Sequence, residues 1–386
     1  MIAPYLPYPP NSGGRIRMWE EIRYLGQRHD LDLVCLSEPA EAEHADSIQK
    51  YCREVNLIVR SVFQPPPGEN ANLPVLVLHH CSRSLERALV RAAKNTYDAI
   101  MFEHIYTSQY QPLFDAGPSV LAEHNIESEI MGQAAVSPPD ITGKPQKIVD
   151  WKLYAAKMHM AAYEDKVWPR FPLRLTVSRE DKSVIDERCQ RGKTVVIENG
   201  VSVESIPLIE QANSRDILFM GSMSYFPNVD AALYFSERIL PLIHQADSRV
   251  RLIIAGRDPT PEIRRLHGAP GIQVVSNPPS MERVAEQCAL TVVPLRLGGG
   301  TRLKILHAMA MGLPVVSTSL GCAGLQVAHG RHLLVEDQPE AFARAVLELL
   351  DDRPRREALR HGGRELVEQR YDWRIILAKL DDCLAG

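Results

Sequence analysis

The stretch at 298–309, GGGTRLKILHAM, combines residue types whose chemistry suits an anion. Glycines let a ligand approach the backbone closely, and the N–H groups at the start of a helix carry a partial positive charge. Arg302 and Lys304 add two full positive charges in the first turn of the predicted helix. The stretch therefore predicts a phosphate or diphosphate site. Its backbone part comprises Gly298, Gly299, Gly300 and Thr301, the last as the helix N-cap.

A simple glycine-rich turn is the structural alternative for this stretch, because such turns are common after strands. Two other classes of nucleotide-binding protein lose their main support. The stretch lacks the spacing of a Walker loop, GxxxxGK followed by Ser or Thr, and no GxGxxG motif follows an early strand. The sequence therefore disfavours an ATPase and an NAD-dependent dehydrogenase.

Two further groups of residues stand where predicted strands end. In PYLPYPPNSGGRIR, Gly13 and Gly14 are placed between the first strand and the first helix, and Arg15 opens that helix. Polar and titratable residues massed at a strand end are candidates for chemistry, although a single histidine is also compatible with a structural role. Those that follow the predicted strand at 119–121 are Glu123, His124, Asn125 and Glu127.

Short segments rich in Val, Ile and Leu alternate with longer helical patterns, which predicts parallel sheets covered by helices on both faces. The strands predicted in the first half lie at 31–35, 55–59, 99–102, 119–121, 173–177 and 195–197, and an amphipathic helix at 15–28. The alternation restarts at 217, after a connecting segment at 199–214. We expect two doubly wound domains that bind ligands in the cleft between them. Because the first strand is short, we also expect residues missing before Met1.

Length and composition fit this organisation and exclude other classes. A chain of 386 residues, 45% of them hydrophobic, is long for one core and suits two domains. The net charge of -4 lacks the basic excess that nucleic-acid binding requires. Seven scattered cysteines, never at CxxC spacing, indicate neither a disulfide framework nor a zinc site. No apolar run approaches the roughly 20 residues of a membrane span, and prolines replace a signal-peptide core, so we expect a cytoplasmic protein.

Four motifs carry a resemblance to a known family: PLRLGGGTRLKILHAMAMGLPVVSTSLGCAGL, ILFMGSMSYFPNVDAALYF, IIAGRDP and AEHNIES. Together they resemble a family 4 glycosyltransferase (glycosyltransferase group 1), in the subset associated with exopolysaccharide and cell-surface glycan assembly. The resemblance implies an α/β fold of the GT-B type, with two Rossmann-like domains facing across a cleft. It implies that residues 1–200 bind the acceptor and residues 201–370 the nucleotide sugar, with a C-terminal helix at 371–386 packing back on the first domain.

The implied reaction moves a sugar from a nucleotide-sugar donor, a UDP- or GDP-sugar, to a glycan or lipid-linked acceptor. It retains the anomeric configuration and needs no metal or other cofactor. The resemblance also implies front-face attack, in which the departing diphosphate accepts the acceptor's proton. No convincing carboxylate pair for a double displacement is evident in the sequence. Arg302, Lys304 and the glycine-loop amides would stabilise that leaving group.

The basic helix at 83–94 suits peripheral contact with the inner face of the membrane, and equally a solvated surface.

This chain departs from the family pattern in two places. The family has two glutamates eight positions apart, the second contacting the donor ribose, whereas Gly299 and His307 stand here. A neutral His307 can still hydrogen-bond a ribose hydroxyl, or it packs at the helix surface. The family also has an arginine and a lysine after the first strand of the second domain, where this chain has Gly221, Ser222 and Asn228.

The resemblance also implies roles for the other candidate residues. His124 is expected beside the transferred sugar, as a catalytic residue together with Arg302 and Lys304. Besides the glycine loop and His307, the residues expected to bind the donor are Gly13, Gly14, Gly221, Ser222, Gly256 and Arg257, with solvent exposure the alternative for the last. The residues expected to bind the acceptor are Arg15, Glu123, Asn125 and Glu127.

Two other functions stay open at this point. A nucleotide-sugar epimerase on the same fold would release a changed nucleotide sugar without any acceptor. The two missing glutamates and the missing basic pair are also compatible with a catalytically inactive, glycosyltransferase-like binding or scaffold protein.

Overall fold

The computed structural model describes residues 1–60, 72–114, 118–136, 150–210, 212–299 and 302–384. The chain divides into two compact units. The first unit contains Met1–Ala135, Val149–Glu198 and Ile376–Gly386, and the second contains Val136–Ile148 and Asn199–Ile375. Among the described residues, each unit is built on one parallel sheet whose strands are connected by helices.

The sheet of the first unit has the strand order β3-β2-β1-β4-β5-β6-β7. Its strands are β1 (Ile2–Ala3), β2 (Asp32–Ser37), β3 (Glu54–Val59), β4 (Ile100–Glu103), β5 (Ser119–Ala122), β6 (Leu173–Thr176) and β7 (Lys193–Val196). Every neighbouring pair is parallel, and the order runs outward from β1 in both directions. This is a doubly wound arrangement, in which the central strands β4 and β5 are buried along their whole length.

In the first unit, the first helix begins two residues earlier than the sequence predicts. The helices of this unit are α1 (Gly13–Leu25), α2 (Ala45–Gln49), α3 (Val75–Leu78), α4 (Arg83–Ala92), α5 (Glu127–Ala135), α6 (Trp151–Val167) and α7 (Arg179–Arg188). The expectation that Gly13 and Gly14 lie in a loop is wrong, because both belong to the first turn of α1. Ser12 is the N-cap, with extended backbone, and the helix starts directly after it.

The sheet of the second unit has the strand order β10-β9-β8-β11-β12-β13, again with parallel neighbours. Its strands are β8 (Asp216–Ser222), β9 (Arg251–Arg257), β10 (Ile272–Ser276), β11 (Leu290–Val293), β12 (Val315–Ser317) and β13 (Leu334–Val335). The strand β8 starts one residue before the predicted restart of the alternation. Its central residues Leu218 and Phe219 are fully buried, as a sheet covered on both faces requires.

The helices of the second unit begin with α8, which a π-helical turn at Phe235–Ile239 joins to α9. They are α8 (Phe226–Tyr234), α9 (Leu240–Ala246), α10 (Pro261–Arg265), α11 (Met281–Ala285), α12 (Leu303–Met311), α13 (Pro339–Asp351) and α14 (Arg353–Leu366). The helix α12 ends at Gly312, whose φ of 75° is the left-handed conformation that favours glycine.

The last helix, α15, spans Trp373–Leu384, and its residues from Ile376 onward belong to the first unit. There Tyr24 Oη donates to Asp381 Oδ2 at 2.6 Å, and Lys379 Nζ donates to Glu198 Oε2 at 2.6 Å. The chain thus returns to its first unit after completing the second.

The predicted α/β architecture with two doubly wound sheets is confirmed. Buried apolar side chains hold each sheet to its helices, and in the first unit Phe102 of β4 packs edge-on against Phe171 with ring centroids 5.4 Å apart. All seven cysteines are free thiols. None of the helices in the described ranges is both long and apolar enough to span a membrane.

Candidate functional site

The carboxyl ends of β4 and β5 each carry a glutamate followed by a histidine. The strand β4 ends in Glu103 and is followed by His104, and Glu123 and His124 follow β5. The two strands are adjacent and parallel, with Glu103 opposite Ala122, so both pairs lie at the same edge of the sheet. The ring centroids of His104 and His124 are 3.7 Å apart. The sequence predicted His124, but His104 and Glu103 were missed.

The first turn of α1 lies against these rings. A Cβ atom placed on Gly14 would lie 2.3 Å from Tyr5 Oη, 3.1 Å from His104 Nε2 and 3.5 Å from His124 Nδ1. Tyr5 Oη forms a hydrogen bond of 2.9 Å with His104 Nε2. The structure therefore brings Gly14 and His124 together, which were predicted separately. We call Tyr5, Gly14, Glu103, His104 and His124 the histidine site.

The backbone of His104 is strained. Its φ is 60°, a left-handed conformation that costs a residue with a side chain about 1–3 kcal/mol. Its ring stacks on Tyr106 with centroids 5.1 Å apart, and Tyr106 stacks on His80 at 4.6 Å. Burial lowers the pKa of His104 and of His124 well below the ordinary histidine value. Both rings are therefore neutral near pH 7 and able to hydrogen-bond a sugar hydroxyl.

The four predicted acceptor-binding residues differ in their surroundings. Glu123 is buried and accepts from Trp168 Nε1 at 2.7 Å, a partner in the hydrophobic core. Glu127 accepts from Tyr106 Oη at 2.7 Å, and burial raises its pKa to about 7. Asn125 is half-buried. Arg15 forms an ion pair with Glu41. Glu123 thus has a structural partner, and the acceptor-binding roles of these residues stay predictions.

In the second unit, the predicted residues at the ends of β8 and β9 meet as register pairs, Gly221 with Gly256 and Ser222 with Arg257. A Cβ atom on Gly256 would lie 1.7 Å from the carbonyl oxygen of Gly221, so the sheet itself requires a glycine there. Arg257 is half-buried, and its donor-binding role, like that of the other three residues, stays a prediction.

The side chain of Lys304, in the first turn of α12, extends to the end of β8. Its Nζ donates to Asn228 Oδ1 at 2.6 Å and lies 4.8 Å from the ring centroid of Phe219. A Cβ atom on Gly221 would lie 3.1 Å from the same Nζ. Burial, and to a lesser extent the charge of Arg302, lowers the pKa of Lys304 to about 7. The stretch 199–375 contains no other lysine, so this amine is the one primary amine of that stretch.

Arg302 is the N-cap residue of α12 and is only 7% exposed. Thr301 was predicted as the N-cap, but the helix begins one residue later, at Leu303. The Arg302 side chain makes no capping bond to the helix amides. Its guanidinium instead donates to the carbonyl oxygen of Gly299 and lies against Gly298, whose φ of 120° favours glycine. The cation is therefore held on the glycine loop.

The two remaining predicted residues of the loop, Gly300 and Thr301, lie outside the described residues. The described part of this site still unites the end of β8, the start of α8 and the start of α12. We call Gly221, Asn228, Gly298, Gly299, Arg302 and Lys304 the glycine-loop site.

His307 lies one turn further along α12 and is half-exposed. Its Nε2 lies 3.1 Å from Glu282 Oε1 in the first turn of α11, and Ser280 Oγ donates to Glu282 Oε2 at 2.7 Å. The bond from His307 is the largest cause that lowers the pKa of Glu282 to about 2, so this carboxylate is ionised at neutral pH. The motif around His307 lacks the second glutamate of the family pattern, but Glu282 of α11 places a carboxylate beside His307.

Within the described ranges, one group of side chains has the spacing of metal ligands: Glu21, Glu103 and His124. One ligand atom from each lies within 4.8 Å of the other two, and all three residues are buried. Arg17 occupies the same region, with Nε 2.9 Å from Glu21 Oε1. A cation is already paired with this group, which argues against a divalent ion there.

The chain is similar to known proteins over different extents. It is 21% identical over 390 aligned residues to an uncharacterized 44.6 kDa protein in the cps region of Klebsiella pneumoniae, covering 97% of this chain and 96% of that protein. It is 39% identical over 89 residues to a GDP-mannose-dependent alpha-(1-6)-phosphatidylinositol monomannoside mannosyltransferase of Mycobacterium tuberculosis. That second match covers 22% of this chain and 23% of the relative.

Solved structures share the fold at low sequence identity. Sucrose-phosphate synthase from Thermosynechococcus elongatus has a TM-score of 0.70 at 16% identity, covering 99% of this chain and 97% of that one. HepE of Anabaena in complex with UDP-glucose has a TM-score of 0.67 at 14% identity, covering 100% and 99%. TarM has a TM-score of 0.60 at 13% identity, and the match covers 58% of its length.

A family model described as Glycosyl transferases group 1 matches residues 214–352, which include the whole glycine-loop site. The predictions of family 4 membership and of a retaining reaction are finer than this match and stay predictions. The match of residues 214–352 to the Glycosyl transferases group 1 model confirms the prediction of a glycosyltransferase, and the fold likeness confirms the GT-B fold.

Proposed function

We propose that this protein is a retaining glycosyltransferase that moves a sugar from a UDP- or GDP-sugar to a glycan or lipid-linked acceptor, without a metal ion. The observation that carries the proposal is the position of Lys304. Its ammonium group lies at the end of β8, against Gly221 and Asn228, in the first turn of a helix whose N-cap is Arg302. Two cations thus lie at the start of one helix, where the backbone amides favour an anion, within the residues that the group 1 model matches.

The chemistry of the donor follows from this arrangement. A nucleoside diphosphate carries its negative charge on the two phosphates, and Lys304 and Arg302 offset that charge as the sugar leaves. The acceptor oxygen forms its bond to the anomeric carbon while the bond from that carbon to the diphosphate oxygen breaks. The acceptor's proton passes to the departing diphosphate. This step needs no protein carboxylate as nucleophile.

Three of the similar proteins support the proposed classes of donor and acceptor. One relative depends on GDP-mannose, HepE binds UDP-glucose, and another relative belongs to a cps region. We propose that the acceptor binds at the histidine site of the first unit, where His124 orients a sugar hydroxyl. The exposed arginines of α4, Arg83, Arg87 and Arg91, suit a peripheral contact with an anionic membrane that carries a lipid-linked acceptor.

Ligand-dependent unfolding and product analysis test the proposal together. UDP, GDP and their sugars are added to the protein in thermal-shift measurements, and one nucleotide series is expected to raise the unfolding temperature. Mass spectrometry of the donor with a glycan extract then identifies a product heavier by one sugar. A changed nucleotide sugar formed without acceptor would show an epimerase instead. The absence of any stabilisation by a nucleotide would indicate a binding or scaffold protein.

Nucleotide affinity is expected to depend on pH through Lys304. Because the pKa of Lys304 is about 7 in the free protein, the amine is mostly neutral at pH 8–9 and must take up a proton to pair with a diphosphate. We therefore expect Kd to rise with pH above 7, by up to about tenfold per pH unit while the pKa in the complex exceeds the pH. Calorimetry in buffers of different ionisation enthalpy measures the proton uptake. The Lys304→Met variant should take up none, and equal uptake in both proteins would contradict the assignment.

Glu282 is expected to contribute to donor binding through His307. The carboxylate holds the imidazole at 3.1 Å and is itself accessible at the protein surface, so the pair offers a charged acceptor and a ring nitrogen to the ribose hydroxyls. We expect Glu282→Gln to raise the KM for the nucleotide sugar about tenfold, with kcat little changed. Glu286→Gln, which alters an exposed glutamate just after α11, is the matched control. Equal kinetics in the two variants would remove Glu282 from the donor site.

A further inference from the structure

Glu103 is a buried carboxyl that the proposed reaction does not use. It is 0% exposed, and its Oε2 lies 2.8 Å from His124 Nε2. On the other side of the same ring, Nδ1 is directed toward the bare Cα of Gly14, where an added Cβ would be 3.5 Å away. One ring nitrogen therefore faces a carboxyl in the core, and the other faces the half-exposed start of α1.

The carboxyl of Glu103 lies in a buried group with a second carboxyl, that of Glu21, and the guanidinium of Arg17. Glu21 is 0% exposed and lies close to Glu103, and Arg17 Nε lies 2.9 Å from Glu21 Oε1. If both carboxyls were ionised, Arg17 would offset only one of the two buried negative charges, and a second buried charge is costly at low dielectric. One proton on Glu21 leaves the group neutral, since the charges of Glu103 and Arg17 then cancel.

Electrostatics favour this placement of the proton. Burial raises the pKa of Glu21 well above its ordinary value, and the carboxyl of Glu103 raises it further. Burial raises the pKa of Glu103 to about 7, while the charge of Arg17 and the bond from Glu21 lower it. Above pH 7 Glu103 is therefore the ionised carboxyl of the pair, which accepts from Glu21 on one side and from His124 on the other.

We propose that Glu103 is a positioning residue: it fixes His124 as the Nε2–H tautomer, so that Nδ1 is a hydrogen-bond acceptor directed toward the start of α1. The ring then accepts a hydrogen bond from a substrate hydroxyl at Nδ1 and cannot donate one from that atom. This inference rests on the proposed function for its consequence in sugar transfer. The tautomer itself is a property of the ligand-free protein, and it is measured without any activity.

Nitrogen-15 NMR of histidine-labelled protein tests the tautomer. The signals of His124 are assigned by their loss in His124→Gln, and we expect a pyridine-like Nδ1 and a pyrrole-like Nε2 at pH 8, where Glu103 is ionised. A pyrrole-like Nδ1 in the wild-type protein would overturn the proposal. So would a stoichiometric metal ion in the purified protein, found by elemental analysis, whose removal shifts the signal of His124 Nε2.

Two variants of Glu103 separate positioning from charge. Both Glu103→Gln and Glu103→Met remove the charge at similar side-chain length, but only the amide oxygen of glutamine can accept from Nε2–H. We expect Glu103→Gln to keep the tautomer and most of the transferase activity. We expect Glu103→Met to show mixed tautomers and a kcat at least about tenfold lower, with the KM for the nucleotide sugar unchanged.

The outcomes distinguish this inference from the proposed function. If no donor is turned over but the tautomer and its response to Glu103→Gln are as expected, the proposed function fails and the positioning by Glu103 stands. If Glu103→Met transfers sugar as fast as the wild-type protein, the positioning role in catalysis is wrong. Should Glu103→Met fail to fold, the spectra of the wild-type protein and of Glu103→Gln still decide the tautomer.

Discussion

Replacing Lys304 by methionine is expected to lower kcat/KM for sugar transfer by about 10²–10³-fold, the loss typical of removing one donor to a developing anion. The ammonium group lies at the end of β8, between Asn228 and the ring of Phe219, and no other lysine occurs in 199–375 to replace it. Steady-state kinetics with the donor found by thermal shift, together with the Kd of the free nucleoside diphosphate, measures the effect.

This loss should not come from unfolding. Methionine has a similar length. The lowered pKa of Lys304 shows that burial disfavours its charged form, and the variant lacks this desolvation penalty. Against this, Asn228 Oδ1 loses its donor, at a cost of about 1–3 kcal/mol. We expect an unfolding temperature close to that of the wild-type protein. Lys152→Met, at an exposed position of α6, is the control and should be fully active. Wild-type kinetics in Lys304→Met would disprove the diphosphate site.

The sequence alone was sufficient to predict the strands and the helix that position both sites. The apolar runs at 99–102 and 119–121 gave β4 and β5 to within a residue or so, because buried parallel strands are marked by continuous apolar residues. The segment after LTVVPL likewise gave α12 and its end at Gly312, where a left-handed residue is needed. Local patterns therefore placed Lys304, Arg302 and His124 at the ends of strands, where ligands bind in such sheets.

Contacts between distant segments could not be predicted in this way. Glu282 reaches His307 from a different helix, 25 residues earlier in the chain, and no local pattern encodes that distance. The pair Glu103 and His104 did leave a signal, since FEH and AEH end two successive predicted strands. Its meaning depends on β4 and β5 being neighbours, which only the sheet order establishes.

Side-chain direction and helix starts were the other limits. Arg302 was expected to follow an N-cap at 301, but it is itself the N-cap and folds onto the carbonyl oxygen of Gly299. The first helix begins at Gly13 although glycine has a low helix propensity, because Ser12 provides the cap position and the following turns are held by buried contacts of Met18 and Ile22. Packing decided the helix start where propensity favoured a loop.

Adding a single methyl group at Gly14 is expected to lower kcat for sugar transfer about 100-fold while leaving the Kd for the nucleoside diphosphate unchanged. The new Cβ of Gly14→Ala would lie 2.3 Å from Tyr5 Oη, whose hydrogen bond to His104 holds it in place. Tyr5 and His104 must then shift by roughly an ångström, and misplacement of that size in a catalytic site costs about two orders of magnitude. The glycine-loop site belongs to the other unit and keeps its cations.

A second substitution should restore the activity. Tyr5→Phe removes the hydroxyl that the methyl group meets. The next contact, at 3.1 Å to His104 Nε2, requires a shift of only a few tenths of an ångström, and the one at 3.5 Å to His124 Nδ1 is an ordinary van der Waals contact. We therefore expect the double variant to transfer sugar faster than Gly14→Ala by about tenfold or more. Tyr5→Phe alone serves as the reference for loss of the hydrogen bond to His104. If Gly14→Ala is fully active, or if the double variant is no faster than the single one, the start of α1 does not position the reacting groups.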